Sequence, residues 1–222
     1  MSLEYDYIIA GGGSAGCVLA SRLANKSKDS ICLVEAGGSG KNLFIKMPAG
    51  NGFIFGNPKF DWGYHSVKQA QLNNRKIYFA RGKGLGGTSI VNGMVYIRGV
   101  AQDYDNWRQM GLDGWGYSDL LPYFKYSEGS TNRQNKFHGN QGPLKVEPAR
   151  NFSVLDEAFI KAAVDTGHEF LDDFNANKRA GVSRIDSTTY RGVRQSSAIS
   201  YLKKVPKNLK IFTNTRVVKI LS

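Results

Sequence analysis

The segment Gly11-Gly12-Gly13-Ser14-Ala15-Gly16 constrains the fold more than any other part of this 222-residue chain. Before it, Glu4 to Ala10 is an apolar run that reads as a buried strand. After it, Gly13 to Ala24 has helical spacing, with Val18, Leu19 and Leu23 on one side. A second apolar run, Ser30 to Val34, completes a strand–helix–strand unit, which implies a parallel sheet with a right-handed crossover. In a G-x-G-x-x-G turn each glycine has its own task. Gly11 allows the tight exit from the strand, Gly13 lets a diphosphate approach the backbone, and Gly16 lets the helix lie close to the sheet. The N–H groups and dipole at the helix start, Ser14 and Ala15, then favour an anion. Glu35, followed by Ala36, ends the second strand about twenty positions on, where a carboxylate accepts ribose hydroxyls. A carboxylate there would repel a 2′-phosphate, which argues against an NADP-type ligand.

Composition excludes several classes. Hydrophobic residues make up 41 %, with 26 glycines and 6 prolines, as in ordinary globular domains. No stretch approaches the roughly 20 apolar residues of a membrane span. Nor does the N-terminus pair a basic region with an apolar core as a signal peptide does, so a cytoplasmic location is expected. Cys17 and Cys32 lie in different elements and form no C-x-x-C pair, so they are expected to be buried packing residues, with neither disulfide nor metal. The net charge of +12 is scattered; Lys203, Lys204, Lys207 and Lys210 form the densest group. No nucleic-acid-binding signature accompanies it. The charge leaves open a peripheral attraction to an anionic membrane or an acidic partner.

A second glycine-dense stretch follows Arg81: Gly82-Lys83-Gly84-Leu85-Gly86-Gly87-Thr88-Ser89. It is a backbone-dominated loop, to which Thr88 and Ser89 add hydroxyls and Asn92 an amide. Such a loop suits the diphosphate and ring edge of a large cofactor. It is not a P-loop, because Lys83 precedes the glycine pair rather than following the last glycine. Residues 37–78 read as an irregular excursion with short strands. Helices are expected over 103–110, over 118–128 with Pro122 in the first turn, over 153–166 ending at Gly167, and over 196–204. Strands are expected at 144–146, 209–212 and 217–221.

The stretch Arg81 to Asp105 (RGKGLGGTSIVNGMVYIRGVAQDYD) resembles the first signature of the glucose–methanol–choline (GMC) oxidoreductases, within them the choline and alcohol dehydrogenase branch. Further landmarks agree in order: Asp6 to Ile9, Leu33 to Gly37, Asp105-Asn106-Trp107, Gly114 to Tyr117, Phe137-His138-Gly139 and Arg194 to Leu202. The resemblance covers essentially the whole chain. It implies an α/β fold with a Rossmann-like, FAD-binding parallel sheet. Residues 1–150 would form the FAD domain with its flavin-covering region, and 151–222 the start of a substrate-side domain with strands returning to the sheet, C-terminally incomplete. It implies bound FAD, with Gly11, Gly13, Ser14, Ala15 and Gly16 at the pyrophosphate and Glu35 and Ala36 near the adenosine ribose. Arg81, Gly82, Gly86, Gly87, Thr88 and Ser89 would follow the diphosphate and ribityl chain. Asn92, Gly93, Met94 and Val95 would lie beside the isoalloxazine, and Val217 would touch the adenine. Some relatives attach the flavin through a histidine where this chain has Val91, so non-covalent FAD is expected.

In this family a late histidine removes the substrate hydroxyl proton while hydride passes to flavin N5. That histidine is expected beyond Ser222, in a missing C-terminal portion, which leaves no catalytic residue in this chain. His65, His138 and His168 are read as structural or solvated. Trp62, Trp107 and Trp115 are read as packing residues rather than as a cage for a cationic head group. The expected function is FAD-dependent oxidation of a primary alcohol, choline-like or simple, to an aldehyde. The partners would be a small alcohol substrate and a quinone or respiratory-chain acceptor, with no nucleic acid. The alternative is a truncated, non-catalytic flavin-binding remnant.

Overall fold

The computed structural model describes residues 3–150, 152–177 and 180–221. The expected domain start at residue 151 and the chain end at 222 lie outside them. The chain divides into two compact units, one formed by 1–93 with 193–222 and the other by 94–192. The boundary expected near residue 150 falls inside the second unit.

The first unit is built on a parallel sheet. Strand β1 (Tyr7–Ala10) leads into helix α1 (Ser14–Lys26) and returns as β2 (Ile31–Val34). β1 and β2 run in parallel, with Tyr7 opposite Ile31. The excursion holds two one-turn helices, α2 (Leu43–Lys46) and α3 (Asn51–Ile54). It also holds a two-residue antiparallel ladder, β3 (Tyr64–His65) with β4 (Tyr78–Phe79).

In the second unit α4 (Ala101–Gln109) and α5 (Tyr117–Ser127) precede β5 (Glu128–Ser130), β6 (Leu144–Pro148), α6 (Val154–Asp165), β7 (Asp186–Ser187) and β8 (Thr189–Tyr190). β6 pairs in parallel with β5 and antiparallel with β7. The chain then re-enters the first unit through β9 (Val193–Arg194), α7 (Ser197–Tyr201) and β10 (Leu209–Phe212).

β10 completes the first sheet. It lies parallel to β2, with Leu209 opposite Ile31, in the order β1-β2-β10. The Asn208 side chain donates to the Ser27 and Asp29 carbonyls at 3.2 and 2.9 Å, tying the entrance of β10 to the turn before β2. Central β2 is therefore buried, and Ile9, Ala20, Ala24, Ile31, Leu33, Leu85 and Leu209 form one core. A second core joins Ile45, Ile54, Phe60, Ile90 and Val91.

Several expectations need correction. β1 is not buried: it is a sheet edge, with Ile8 66 % exposed and only Ile9 enclosed. The buried face of α1 is Cys17, Ala20, Ser21 and Ala24, whereas Leu19 is exposed. Small residues face the sheet because the helix lies close to it, and larger ones are displaced outward. Residues 217–221 form no strand; they are exposed. Pro122 lies inside α5 rather than in its first turn, and α7 is shorter than the helix read over 196–204.

The aromatic residues of α4, α5 and their connection pack together. Tyr104 meets Trp107 edge-on at 5.3 Å, and Trp107 meets Trp115 at 6.1 Å. α6 starts at Ser153, whose hydroxyl accepts the Asp156 N–H, and it stops at Gly167 with φ of 94°. Its apolar residues Leu155 and Phe159 are exposed. Among the described residues no helix is long and apolar enough to cross a membrane.

Candidate functional site

The two glycine stretches meet. The Gly86 N–H donates to the Gly12 carbonyl at 2.8 Å, and the Leu85 N–H to the Gly38 carbonyl at 2.9 Å. A Cβ placed on Gly87 would lie 2.7 Å from the Gly13 Cα, and one on Gly16 would lie 1.9 Å from the Gly11 carbonyl oxygen. Only glycine permits these approaches, the first between the two loops and the second between helix and strand exit. In contrast, the positions a Cβ would take at Gly11 and Gly93 are open, with no atom within 4 Å.

The start of α1 suits an anion. Gly13 caps the helix without a side chain, and no acidic residue stands in its first turn. The first amides of a helix have no partner within it, so those of Ser14, Ala15 and Gly16 have none inside α1. Ser14 and Ala15 are solvent-exposed. Beyond Glu35, a cavity of about 380 Å³ is lined by Ala36, Gly38, Lys41, Lys59, Lys83 and Asn214, among others. Three lysines at one cavity again favour a negatively charged ligand.

Glu35 is buried, at 6 % exposure. Its two carboxylate oxygens accept the N–H groups of Gly12 at 2.8 Å and Gly37 at 2.7 Å. It staples the first glycine turn to the end of β2, so its first role is to hold the loop in shape. Cys17 beneath it is a free, buried thiol that donates to the Gly12 carbonyl at 3.1 Å. Burial pushes this thiol up to about 11, which suits inert packing. Cys32 is likewise free and buried.

The second stretch is anchored at both ends. The Arg81 N–H donates to buried Asp61 at 3.2 Å while the Arg81 side chain remains at the surface. Residues Gly87 to Ile90 form a 3-10 turn, from which Thr88 is exposed. The Ser89 hydroxyl accepts the Ser197 N–H at 2.9 Å. Val91 is buried in the second core, while Asn92 and Gly93 are exposed.

Met94 and Val95 belong to the second unit. Met94 holds φ of 63°, a conformation that non-glycine residues seldom adopt. Its carbonyl accepts the Thr188 N–H at 2.8 Å. Val217, expected at the adenine, is exposed.

Two residues stand out that the sequence reading had not marked as functional. Arg194 is wholly buried and clamps the second glycine stretch. His138, placed in a polar loop and read as structural or solvated, is structural: its ring sits between Glu128 at 2.7 Å and Asp173 at 2.8 Å. Trp62 stacks on Tyr64 and carries Lys83 and Arg216 over its ring, at 5.3 and 5.9 Å. The chain's own cations occupy that face.

A parallel sheet whose first turn and a second glycine loop share one cradle, with an acidic staple at the end of β2, defines a dinucleotide-binding domain. The chain belongs to the GMC oxidoreductase family, whose model matches residues 5–222. It is 43 % identical over 205 residues to an oxygen-dependent choline dehydrogenase of Sinorhizobium fredii, covering 92 % of this chain and 37 % of that protein. Among solved structures it is similar to a pyridoxine 4-oxidase of Mesorbium loti, with a TM-score of 0.91, 35 % identity and coverage of 96 % of this chain and 43 % of that one. It is also similar to an FAD-dependent oxidoreductase of Chaetomium thermophilum, with a TM-score of 0.85, 30 % identity and coverage of 94 % and 38 %. The chain thus spans well under half the length of each of these relatives. The expected fold and family agree with these matches, and the expected flavin agrees with the cofactor in the last protein's name.

Proposed function

We propose that this chain binds FAD without a covalent bond and forms the flavin-binding part of an alcohol-oxidising flavoenzyme. The observation that carries the reading is the junction of the two glycine stretches, with Gly86 N–H on the Gly12 carbonyl and open backbone at Gly11 and Gly93. A flat, diphosphate-bearing ligand needs this combination of close main chain and absent side chains.

The residues divide the work. The amides of Ser14, Ala15 and Gly16 at the start of α1 hold a diphosphate. Gly11 leaves its path open, while Gly13, Gly82, Gly86 and Gly87 let the main chain pack closely behind it. Thr88 offers a hydroxyl along the linker, and Ser89 borders it with its own hydroxyl held by the Gly86 carbonyl and the Ser197 N–H. Glu35 holds the first turn and, with Ala36, borders the adenosine end, where Val217 would close over the base. Arg81, Asn92 and Gly93 border the ring end, and Met94 and Val95 follow directly in the chain. When bound, FAD supplies the hydride acceptor. Val91 offers no nucleophile for attachment and is enclosed among apolar side chains.

The substrate class proposed is a primary alcohol, choline-like or simple. The curated relatives are named as oxygen-dependent, so oxygen is the acceptor to test first against a quinone or respiratory-chain acceptor. A non-catalytic flavin-binding role remains the second reading. It is favoured by the histidines in hand: His138 is locked between carboxylates, and the His65 ring is exposed, with Nδ1 3.0 Å from the Gly63 carbonyl.

The test is to purify the chain with FAD and record flavin absorbance after gel filtration, then after acid precipitation. Flavin should travel with the protein and stay in the acid supernatant, with no choline-dependent reduction of a dye. Flavin left in the precipitate overturns the non-covalent reading. Choline turnover overturns the non-catalytic one.

A further inference from the structure

Arg194 opens the stretch RQSSAISYL, and the flavin reading gives it no task. The side chain is wholly buried. Its Nε donates to the Ile45 carbonyl at 3.0 Å. One terminal nitrogen donates to the Asn92 carbonyl at 2.6 Å and the Asn92 amide oxygen at 3.0 Å, with the Ser89 carbonyl at 3.5 Å. The other donates to Asn51 Oδ1 at 2.7 Å. Every one of these acceptors is neutral.

Among the described residues no carboxylate meets this guanidinium, and burial pushes it down to about 10. Buried Arg98 is paired with Glu128 at 2.7 Å, and partly buried Arg133 reaches Asp172 and Asp186 at 2.9 and 2.8 Å. Carbonyl dipoles satisfy the hydrogen bonds of a buried cation, but they do not neutralise its charge. The imbalance sits directly behind the end of the second glycine stretch. There the Arg194 clamp and the Ser197 N–H on Ser89 Oγ together set the path of residues 89–92.

We propose that Arg194 is a positioning residue for residues 89–92 of the second glycine stretch, and that its uncompensated charge favours an anionic dinucleotide on that stretch. This rests on the flavin reading. The clamp sets the shape of the loop, while the bare charge biases the site toward a ligand that brings its own negative charge.

The two roles separate in Asn51→Asp, which places a carboxylate at an acceptor already 2.7 Å from the guanidinium. A pure clamp would be strengthened, and cofactor affinity would hold or rise. With the charge role, the apo chain melts at a higher temperature than the parent, yet its FAD affinity, read by quenching of flavin fluorescence, falls at least fivefold. Arg194→Lys retains the charge and loses the fork, so it should bind between the parent and Arg194→Met.

An Asn51→Asp chain that binds FAD as tightly as the parent, or that melts no higher, overturns the inference. A folded parent that fails to quench FAD at all sinks the flavin reading and this inference with it. That outcome appears in the parent alone and cannot be confused with an effect of the variants.

Discussion

Gly87 has φ of 52°, and a Cβ there would lie 2.7 Å from the Gly13 Cα, a main-chain atom with little freedom to give way. Gly87→Ala therefore combines a left-handed backbone with a steric clash between the two loops. It should cost about 1–3 kcal/mol and abolish FAD binding, read by urea unfolding and flavin fluorescence. A loss under about 0.5 kcal/mol, the range of an ordinary surface change, would mean that the loops separate easily. Glu35 shows how a residue typed correctly from sequence gains a further role in three dimensions. Its place at the end of β2 was legible from spacing. That both oxygens are engaged by the Gly12 and Gly37 amides was not, because the bonds depend on how the two loops fold back.

The second unit contains a set of charges that no local pattern announces. His138 comes from the loop between β5 and β6, Glu128 from β5, Arg98 from the segment before α4 and Asp173 from the segment after α6. The His138 ring is wholly buried, with Nδ1 2.7 Å from Glu128 and Nε2 2.8 Å from Asp173. Neutral imidazole has one N–H, so only the imidazolium can donate to both carboxylates. Burial lowers its pKa, but hydrogen bonds to Asp173 and Glu128 outweigh burial and hold it up at about 9. The Asp173 carboxyl is raised by burial, yet the His138 pair and the Asn175 N–H hold it below its usual value.

Because the folded pKa of His138 exceeds the unfolded value of about 6.5, its contribution is complete below about pH 6.5. It is lost as pH rises through about 9. Urea midpoints should fall between pH 7 and 10, and His138→Gln should flatten that slope. A slope equally steep in the variant would place the titration elsewhere. Removing the ring with His138→Ala should cost about 3–5 kcal/mol, because both buried pairs are broken and Glu128 keeps only Arg98 as its cation.

At the scale of the whole molecule, much apolar surface is exposed. The β1 edge shows Tyr7 and Ile8, α6 shows Leu155 and Phe159, and residues 217–221 show Val218, Ile220 and Leu221. An open strand edge with apolar side chains offers unpaired backbone to another chain, and large apolar patches promote association. The purified chain should self-associate at micromolar concentration. Ile8→Lys, at a side chain 66 % exposed, should raise the monomer fraction in sedimentation velocity without lowering the melting temperature. A monomeric parent would show that this edge is already protected.

The sequence by itself determined the dinucleotide-binding sheet, the family and both glycine stretches. Those signals are local: strand and helix periodicities, and glycines at fixed spacing where a backbone must turn or approach closely. The tertiary structure alone decided the burial of Cys17 and Ala20 instead of Leu19 on α1, the exposure of β1, the lack of a strand over 217–221 and the charge set around His138. It also decided that Arg194 sits among neutral acceptors, on Ile45 from 149 positions away. Burial and charge pairing are set by neighbours remote in the chain, and no short-range pattern encodes which of them will meet.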